Sequence, residues 1–230
     1  MSEPVTYTQS GGIARIARDD GKVNAMSPAL LAALHRAFDR AEADKAVTVL
    51  SGRAGTFSAG FDLKVFQRGD PAEVREMLRL GAELALRVLS FPTPVLGVCA
   101  GHAYPMGAFL LLSADLRLGA DGPFKIGLNE VTIGLTIPRF AIEVARQRLT
   151  PAWFNRAATT GEMCSPAEAV VAGFLDRVTP PAELAAAADE AALRLTKLDM
   201  TAHHATKLRA RAPALAAVRA AIDEELGSGR

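Results

Sequence analysis

Several things are scarce in this chain of 230 residues, and each scarcity removes a class of function. Cysteine occurs twice, at Cys99 and Cys164, far apart and in apolar or turn surroundings. Two reduced core thiols are therefore expected rather than a disulfide framework. No Cys, His and carboxylate grouping has metal-ligand spacing, so no metal is expected. Charge of one sign is not in excess: 26 Lys and Arg stand against 25 Asp and Glu, which leaves no basic footprint for nucleic acid. No apolar run reaches membrane-spanning length, and no membrane partner is expected. Met1-Ser2-Glu3-Pro4 has no basic region followed by an apolar one, so a cytoplasmic protein is expected rather than a secreted one. Neither a dinucleotide-binding glycine fingerprint nor a P-loop occurs, and Ser58 has no recognisable His–Asp partnership.

Apolar residues make up 50% of the chain, enough for one domain with a sizeable core. Two stretches share a design. Val47-Thr48-Val49-Leu50 reads as a strand and leads to Phe57-Ser58-Ala59-Gly60-Phe61-Asp62-Leu63-Lys64. Pro94 to Cys99 reads as a second strand and leads to Ala100-Gly101-His102-Ala103-Tyr104-Pro105-Met106-Gly107-Ala108. Each strand ends in small residues and feeds a helix, with Asp62 placed to cap the first one. Small residues leave the backbone unshielded, so two such turns can aim N–H groups at one point. An acyl oxygen that becomes negative during reaction is stabilised by that arrangement.

Around these stretches the pattern alternates strand and helix. Val5 to Ala17 reads as a hairpin about Gly11-Gly12, with Ile13, Arg15 and Ala17 on one face and Ala14 and Ile16 on the other. Ser27-Pro28 starts a helix that runs to about Ala43. Pro71 to Ser90 is a second helix, with Gly81 inside its apolar stripe. A glycine there costs stability unless a neighbour packs closely against it. Gly107 to about Ala114 reads as a buried helix, and 115–119 and 124–127 as short strands. Helices then dominate, over 139–149, 151–159, 166–172, 181–198, 202–211 and 213–226. Strands first and helices after give an α/β core with a helical tail.

Five stretches in order resemble the enoyl-CoA hydratase/isomerase (crotonase) superfamily. They are Val23-Asn24-Ala25-Met26-Ser27, the two turn stretches, Asn129 to Pro138 (NEVTIGLTIP) and Thr160 to Val178 (TGEMCSPAEAVVAGFLDRV). The resemblance implies a crotonase-like spiral of ββα units over 1–178. It implies a C-terminal helical trimerisation region over 179–230, in a homotrimer or hexamer. It also implies an acyl-CoA thioester substrate and no cofactor, since coenzyme A arrives as part of the substrate.

Carried onto this sequence, the resemblance makes the backbone N–H groups of Phe61 and Met106 an oxyanion hole. Met106 stands within Pro105-Met106-Gly107, where the family has consecutive glycines, so the turn's conformation is open at that point. Ala59, Gly60, Asp62, Leu63, Lys64, Gly107, Lys22 and Ala25 are the implied contacts to substrate and CoA. For Lys22 and Lys64 a solvated surface lysine is the competing reading. The family's hydratases use two glutamates. At the first of these positions stands Phe109, implied to shape the acyl pocket. The second, in a Glu-Val-x-x-Gly pattern, is Glu130, expected to be buried with a raised pKa. One carboxylate suits moving a double bond from position 3 to position 2 better than adding water. A hydratase acting without the first glutamate, and an acyl-CoA binder without turnover, remain alternatives. Asp223-Glu224-Glu225-Leu226 lacks the Phe-x-x-Lys-Arg ending that in some relatives reaches a neighbour's CoA, a role Lys207 and Arg209 can take. His102 is expected to be packed, and His203-His204 to be solvated.

Overall fold

The computed structural model describes residues 4–227, so the reading of Met1 to Glu3 lies outside them. Strands β1 (Val5–Ser10) and β2 (Ile13–Arg18) form the expected hairpin. Gly11 and Gly12 both take positive φ (57° and 77°), as the tightest hairpin turn demands. Helix α1 (Pro28–Ala43) begins as the sequence reads: the Ser27 side chain accepts from the Leu30 amide, and Pro28 opens the first turn.

Strand β3 (Val47–Ser51) does not feed a helix directly. A short strand, β4 (Gly55–Ser58), intervenes before α2 (Leu63–Arg68) and α3 (Pro71–Ser90). The second unit repeats this: β5 (Val95–Cys99), then β6 (Gly101–Ala103), then α4 (Pro105–Ser113). The strand-to-helix expectation is corrected accordingly, because β4 and β6 pair in parallel as a separate two-stranded sheet. Strand β7 (Leu116–Ala120) follows, and β8 (Arg177–Thr179) closes the main sheet, in the order β1-β2-β3-β5-β7-β8. Only β1 runs antiparallel to its neighbour. The repeated strand–strand–helix unit accounts for this pairing.

The main core gathers α1, α3 and α4 against the sheet; every residue of α4 is buried. The sheet's other face carries Ile13, Val49, Leu96, Val98 and Leu118, covered by α8 (Leu184–Leu195). Phe124 to Gly127 is not a strand: Ile126 makes isolated bridges to Ala103 and Cys164. After the 3-10 turn Glu130–Ile133 come α5 (Arg139–Arg146), α6 (Pro151–Thr160) and α7 (Pro166–Ala172). The segment 181–198 divides into a 3-10 turn (Pro181–Glu183) and α8.

The two helices expected over 202–211 and 213–226 are one, α9 (Met200–Leu226), with Pro213 inside it. Proline removes one backbone bond there, but Arg209 and Pro213 are exposed, so water reaches the freed carbonyl. Packing against α3 and α5 holds the helix together. Lys207 of α9 is 5% exposed and donates to the carbonyls of Phe91 (2.8 Å) and Thr93 (3.2 Å) and to the Asp115 carboxylate (2.7 Å). Arg211 donates to the carbonyls of Leu89 (2.9 Å) and Ser113 (3.2 Å) and also meets Asp115 (3.0 Å). Lys207 is thus committed inside the fold and is not free to hold CoA, which corrects that expectation; Arg209 is exposed.

Candidate active site

The first turn is tied down residue by residue. Asn24 is fully buried at φ 52°, and its side chain donates to the Arg18 carbonyl (3.1 Å) while accepting from the Asp20 amide (3.0 Å). The Ser58 hydroxyl donates to the Asn24 carbonyl (2.8 Å) and accepts from the Gly60 amide (3.1 Å). Gly60 takes φ 90°, a conformation open to glycine and strained for other residues. Met26 bridges this turn in parallel: its N–H donates to the Gly60 carbonyl (2.8 Å) and its carbonyl accepts from the Asp62 amide (3.3 Å). In a parallel bridge the two flanking residues make the bonds, so the N–H of Phe61 points away from Met26. Asp62 caps α2, accepting from the Lys64 amide as expected.

The second turn meets the first. The Tyr104 amide donates to the Ser58 carbonyl (2.9 Å). A Cβ built on Gly60 would sit 3.4 Å from Pro105 Cδ and 3.7 Å from the Met106 nitrogen. A Cβ on Gly107 would sit 2.8 Å from the Ser58 Cβ, which explains glycine at that close approach. Helix α4 starts at Pro105, so Met106 lies in ordinary helical backbone rather than a glycine-only conformation. Its N–H belongs to the first helical turn, whose donors have no acceptor within the helix. The backbone groups of Phe61 and Met106 therefore stand at one junction.

A cavity of about 170 Å³ opens beside that junction, lined by Ala59, Gly60, Phe61 and Leu63, by Pro105, and by Glu130. Leu78 of α3 and Phe66 of α2 extend its apolar wall. Among the described residues, Glu130 is the one ionisable side chain on the lining. It is 6% exposed, and its Oε2 has no hydrogen-bond partner among the described residues. Burial pushes its pKa from 4.5 up to about 7, opposed by a bond from its own backbone amide. A carboxyl with that value exchanges protons readily near neutrality.

A second cavity, of about 550 Å³, shares Ala59, Phe61 and Leu63 with the first. It adds Lys22, Ala25, Asp62 and Lys64, while Gly60 lines only the first cavity and Gly107, buried against Ser58, lines neither. Its charges are mixed, with Asp20 and Asp62 beside the two lysines. Phe109 is a correction: it is fully buried, packs edge-on to Phe140 at 6.1 Å and does not line the cavity. His102 is packed between Tyr104 and Phe124 and accepts from the Lys125 amide, as expected. His203 is half-buried rather than solvated, and its Nε2 is buried with no hydrogen-bond partner among the described residues. Cys99 and Cys164 are both free and buried. No helix among the described residues is long and apolar enough to cross a membrane.

Sequence reasoning passed over Ser58 as a turn lock, and over Phe66, Leu78, Asn129 and Thr136 on the cavity wall. A serine two residues before a glycine is a local signal for such a lock. Asn129 and Thr136 lie within the Asn129–Pro138 stretch that flanks Glu130, whereas Leu78 comes from α3 and carries no local signal.

The enoyl-CoA hydratase/isomerase family model matches residues 8–226. The chain belongs to this family. Human mitochondrial enoyl-CoA delta isomerase 1 is 30% identical over 173 residues, covering 74% of this chain and 57% of the human protein. The chain thus spans little more than half of that relative. A putative enoyl-CoA hydratase of Thermus thermophilus is 34% identical over 199 residues, covering 78% and 76%. The crystal structure of an enoyl-CoA hydratase/isomerase family protein from Pseudomonas syringae superposes with a TM-score of 0.95 at 44% identity, covering 97% of this chain and 96% of that one. Family members of similar sequence carry both activity names, so membership establishes the fold and the enzyme family but not the reaction.

Proposed function

We propose that this family member is an isomerase that moves the double bond of a 3-enoyl-CoA to position 2, with Glu130 as its single acid and base. The observation that carries the reading is Glu130 itself, alone among ionisable side chains on the cavity wall and lifted to about 7. In this mechanism Oε2 takes a proton from C2 of the thioester. The electrons spread over the dienolate, whose oxygen accepts from the Phe61 and Met106 N–H groups. The same carboxyl then returns the proton to C4, so atoms and charge balance with no co-reactant.

Each N–H donor contributes about a hundred- to a thousandfold in rate when placed on the developing charge. The second cavity receives the CoA portion, with Lys22 and Lys64 near its phosphates. Similarity to the human delta isomerase supports this direction. Assembly as a homotrimer or hexamer belongs to the same proposal. Hydration is the second reading, favoured by Asn129 and Thr136, whose polar side chains on the same wall can hold a water.

Paired assays on the purified protein test the choice. A 3-enoyl-CoA gains conjugated absorbance on isomerisation, and a trans-2-enoyl-CoA loses it on hydration. Gain without loss, abolished in Glu130→Gln, is expected. Robust hydration replaces the isomerase reading with the second one. CoA ester binding without turnover in either arm moves the chain to a binding role.

A further inference from the structure

Helix α3 carries one interior residue that its own stability disfavours. Gly81 lies in the middle of the helix, is buried, and takes no left-handed conformation that would require glycine. Glycine at such a position costs about 1 kcal/mol relative to alanine. The reason for it lies across the interface. A Cβ on Gly81 would come within 2.6 Å of both Cε1 and Cζ of the Phe61 ring and 3.2 Å of the Met106 Sδ. Those two side chains belong to the two residues assigned above as the backbone donors, of which Phe61 lines the cavity. One missing methyl group on α3 therefore seats both.

We infer that Gly81 is a positioning residue for the anion-binding pair, setting where the Phe61 and Met106 N–H groups stand relative to each other. The inference rests on the oxyanion reading above and holds for isomerisation and hydration alike. The physical chain is short. The Phe61 ring sits flush against the α3 backbone, and its own backbone is pinned by the bonds of Gly60 and Asp62 to Met26. Met106 stands on the first turn of α4, fully buried, with its side chain reaching the same spot on α3. A methyl group on Gly81 pushes the ring tip away and crowds the thioether. The ring lines both cavities, so its tip can swing toward them, and the share of the shift that the ring carries back to its Cα is what moves the donor. A donor displaced by roughly 1 Å can cost up to about a hundredfold in rate.

The test is Gly81→Ala, alone and combined with Phe61→Leu, which removes the ring atoms the methyl group would strike. Two readouts are taken. The first is kcat and KM on enoyl-CoAs of short and long acyl chains. The second is the infrared stretch of the thioester carbonyl in bound butyryl-CoA, isotope-labelled at that carbon, which shifts to lower frequency when two N–H groups polarise it. Expected for Gly81→Ala is a kcat about tenfold lower or more, the same at every chain length, with KM little changed and a smaller carbonyl shift. In the Phe61→Leu background the same substitution costs much less by both readouts. The inference is overturned by an unchanged carbonyl shift in Gly81→Ala, by a loss confined to KM that grows with chain length, or by an equal loss in both backgrounds. A parent protein that binds butyryl-CoA with no carbonyl shift refutes the oxyanion reading itself, and with it the role given to Gly81. A parent that shifts the carbonyl but turns nothing over refutes only the isomerase assignment.

Discussion

Glu130→Gln preserves the shape of the side chain and removes its charge, and the effect on stability has a definite sign. In the folded protein the carboxyl is 6% exposed, with one oxygen unpartnered, and its pKa stands at about 7 instead of 4.5. A gap of about 2.5 pH units, at about 1.4 kcal/mol each, makes the ionised folded form about 3 kcal/mol less favourable than ionisation in the unfolded chain. The folded pKa is the higher one, so between the two values the folded protein keeps a proton that the unfolded chain releases. Stability from this group is full below the unfolded value, falls as pH rises through the window between 4.5 and about 7, and levels off above it.

Glutamine carries no such dependence, and any cost of its unpaired amide is the same at every pH. Urea unfolding of parent and variant at about pH 4.5 and about pH 8.5 should therefore show the variant improving against the parent by about 2 to 3 kcal/mol at the higher pH. Turnover falls by at least about a hundredfold in the same variant. A stability difference that does not change between the two pH values would refute the claim that Glu130 is ionised at a cost inside the fold.

Three further outcomes are expected. The isomerisation kcat/KM should rise with pH through about 7 and then stay flat, because the base must be ionised, and a profile flat down to about pH 5 contradicts this. Gly60→Ala forces a side-chain-bearing residue into φ 90°, and thermal unfolding should report a loss of about 1 to 3 kcal/mol together with reduced turnover. Asp115→Asn leaves Lys207 and Arg211 buried without their shared carboxylate and should cost about 3 to 5 kcal/mol, with amide exchange across α9 rising ahead of the rest of the chain.

The sequence was most legible where one signal is local and strong. Ser27-Pro28 and Asp70-Pro71 announce the starts of α1 and α3, and their apolar stripes carry the elements to their observed ends. Strands β4, β6 and β8 have three or four residues each, too few for alternation to register, so the two-sheet arrangement stayed hidden. Pro213 reads as a break by local rules and is overridden by packing. At the site, Glu130 and the small-residue turn follow from neighbouring letters. The seating of Phe109 against Phe140, the burial of Lys207 and the meeting of Gly81 with Phe61 join residues 20 or more positions apart, and no local pattern encodes them.

The lock between α9 and the core also sets an order in time. Lys207 follows Phe91 by 116 residues and Asp115 by 92, so a ribosome delivers the cation long after the groups it serves. At translation speeds that interval is on the order of ten seconds. Until then the Asp115 carboxylate has only the Val95 amide and water as donors, and the carbonyls of Leu89, Phe91, Thr93 and Ser113 lack the Lys207 and Arg211 donors. Until α9 is made, no other part of the chain offers the contacts that it makes to α3 and α5. The last helix of the chain thus supplies the donors that close its interior.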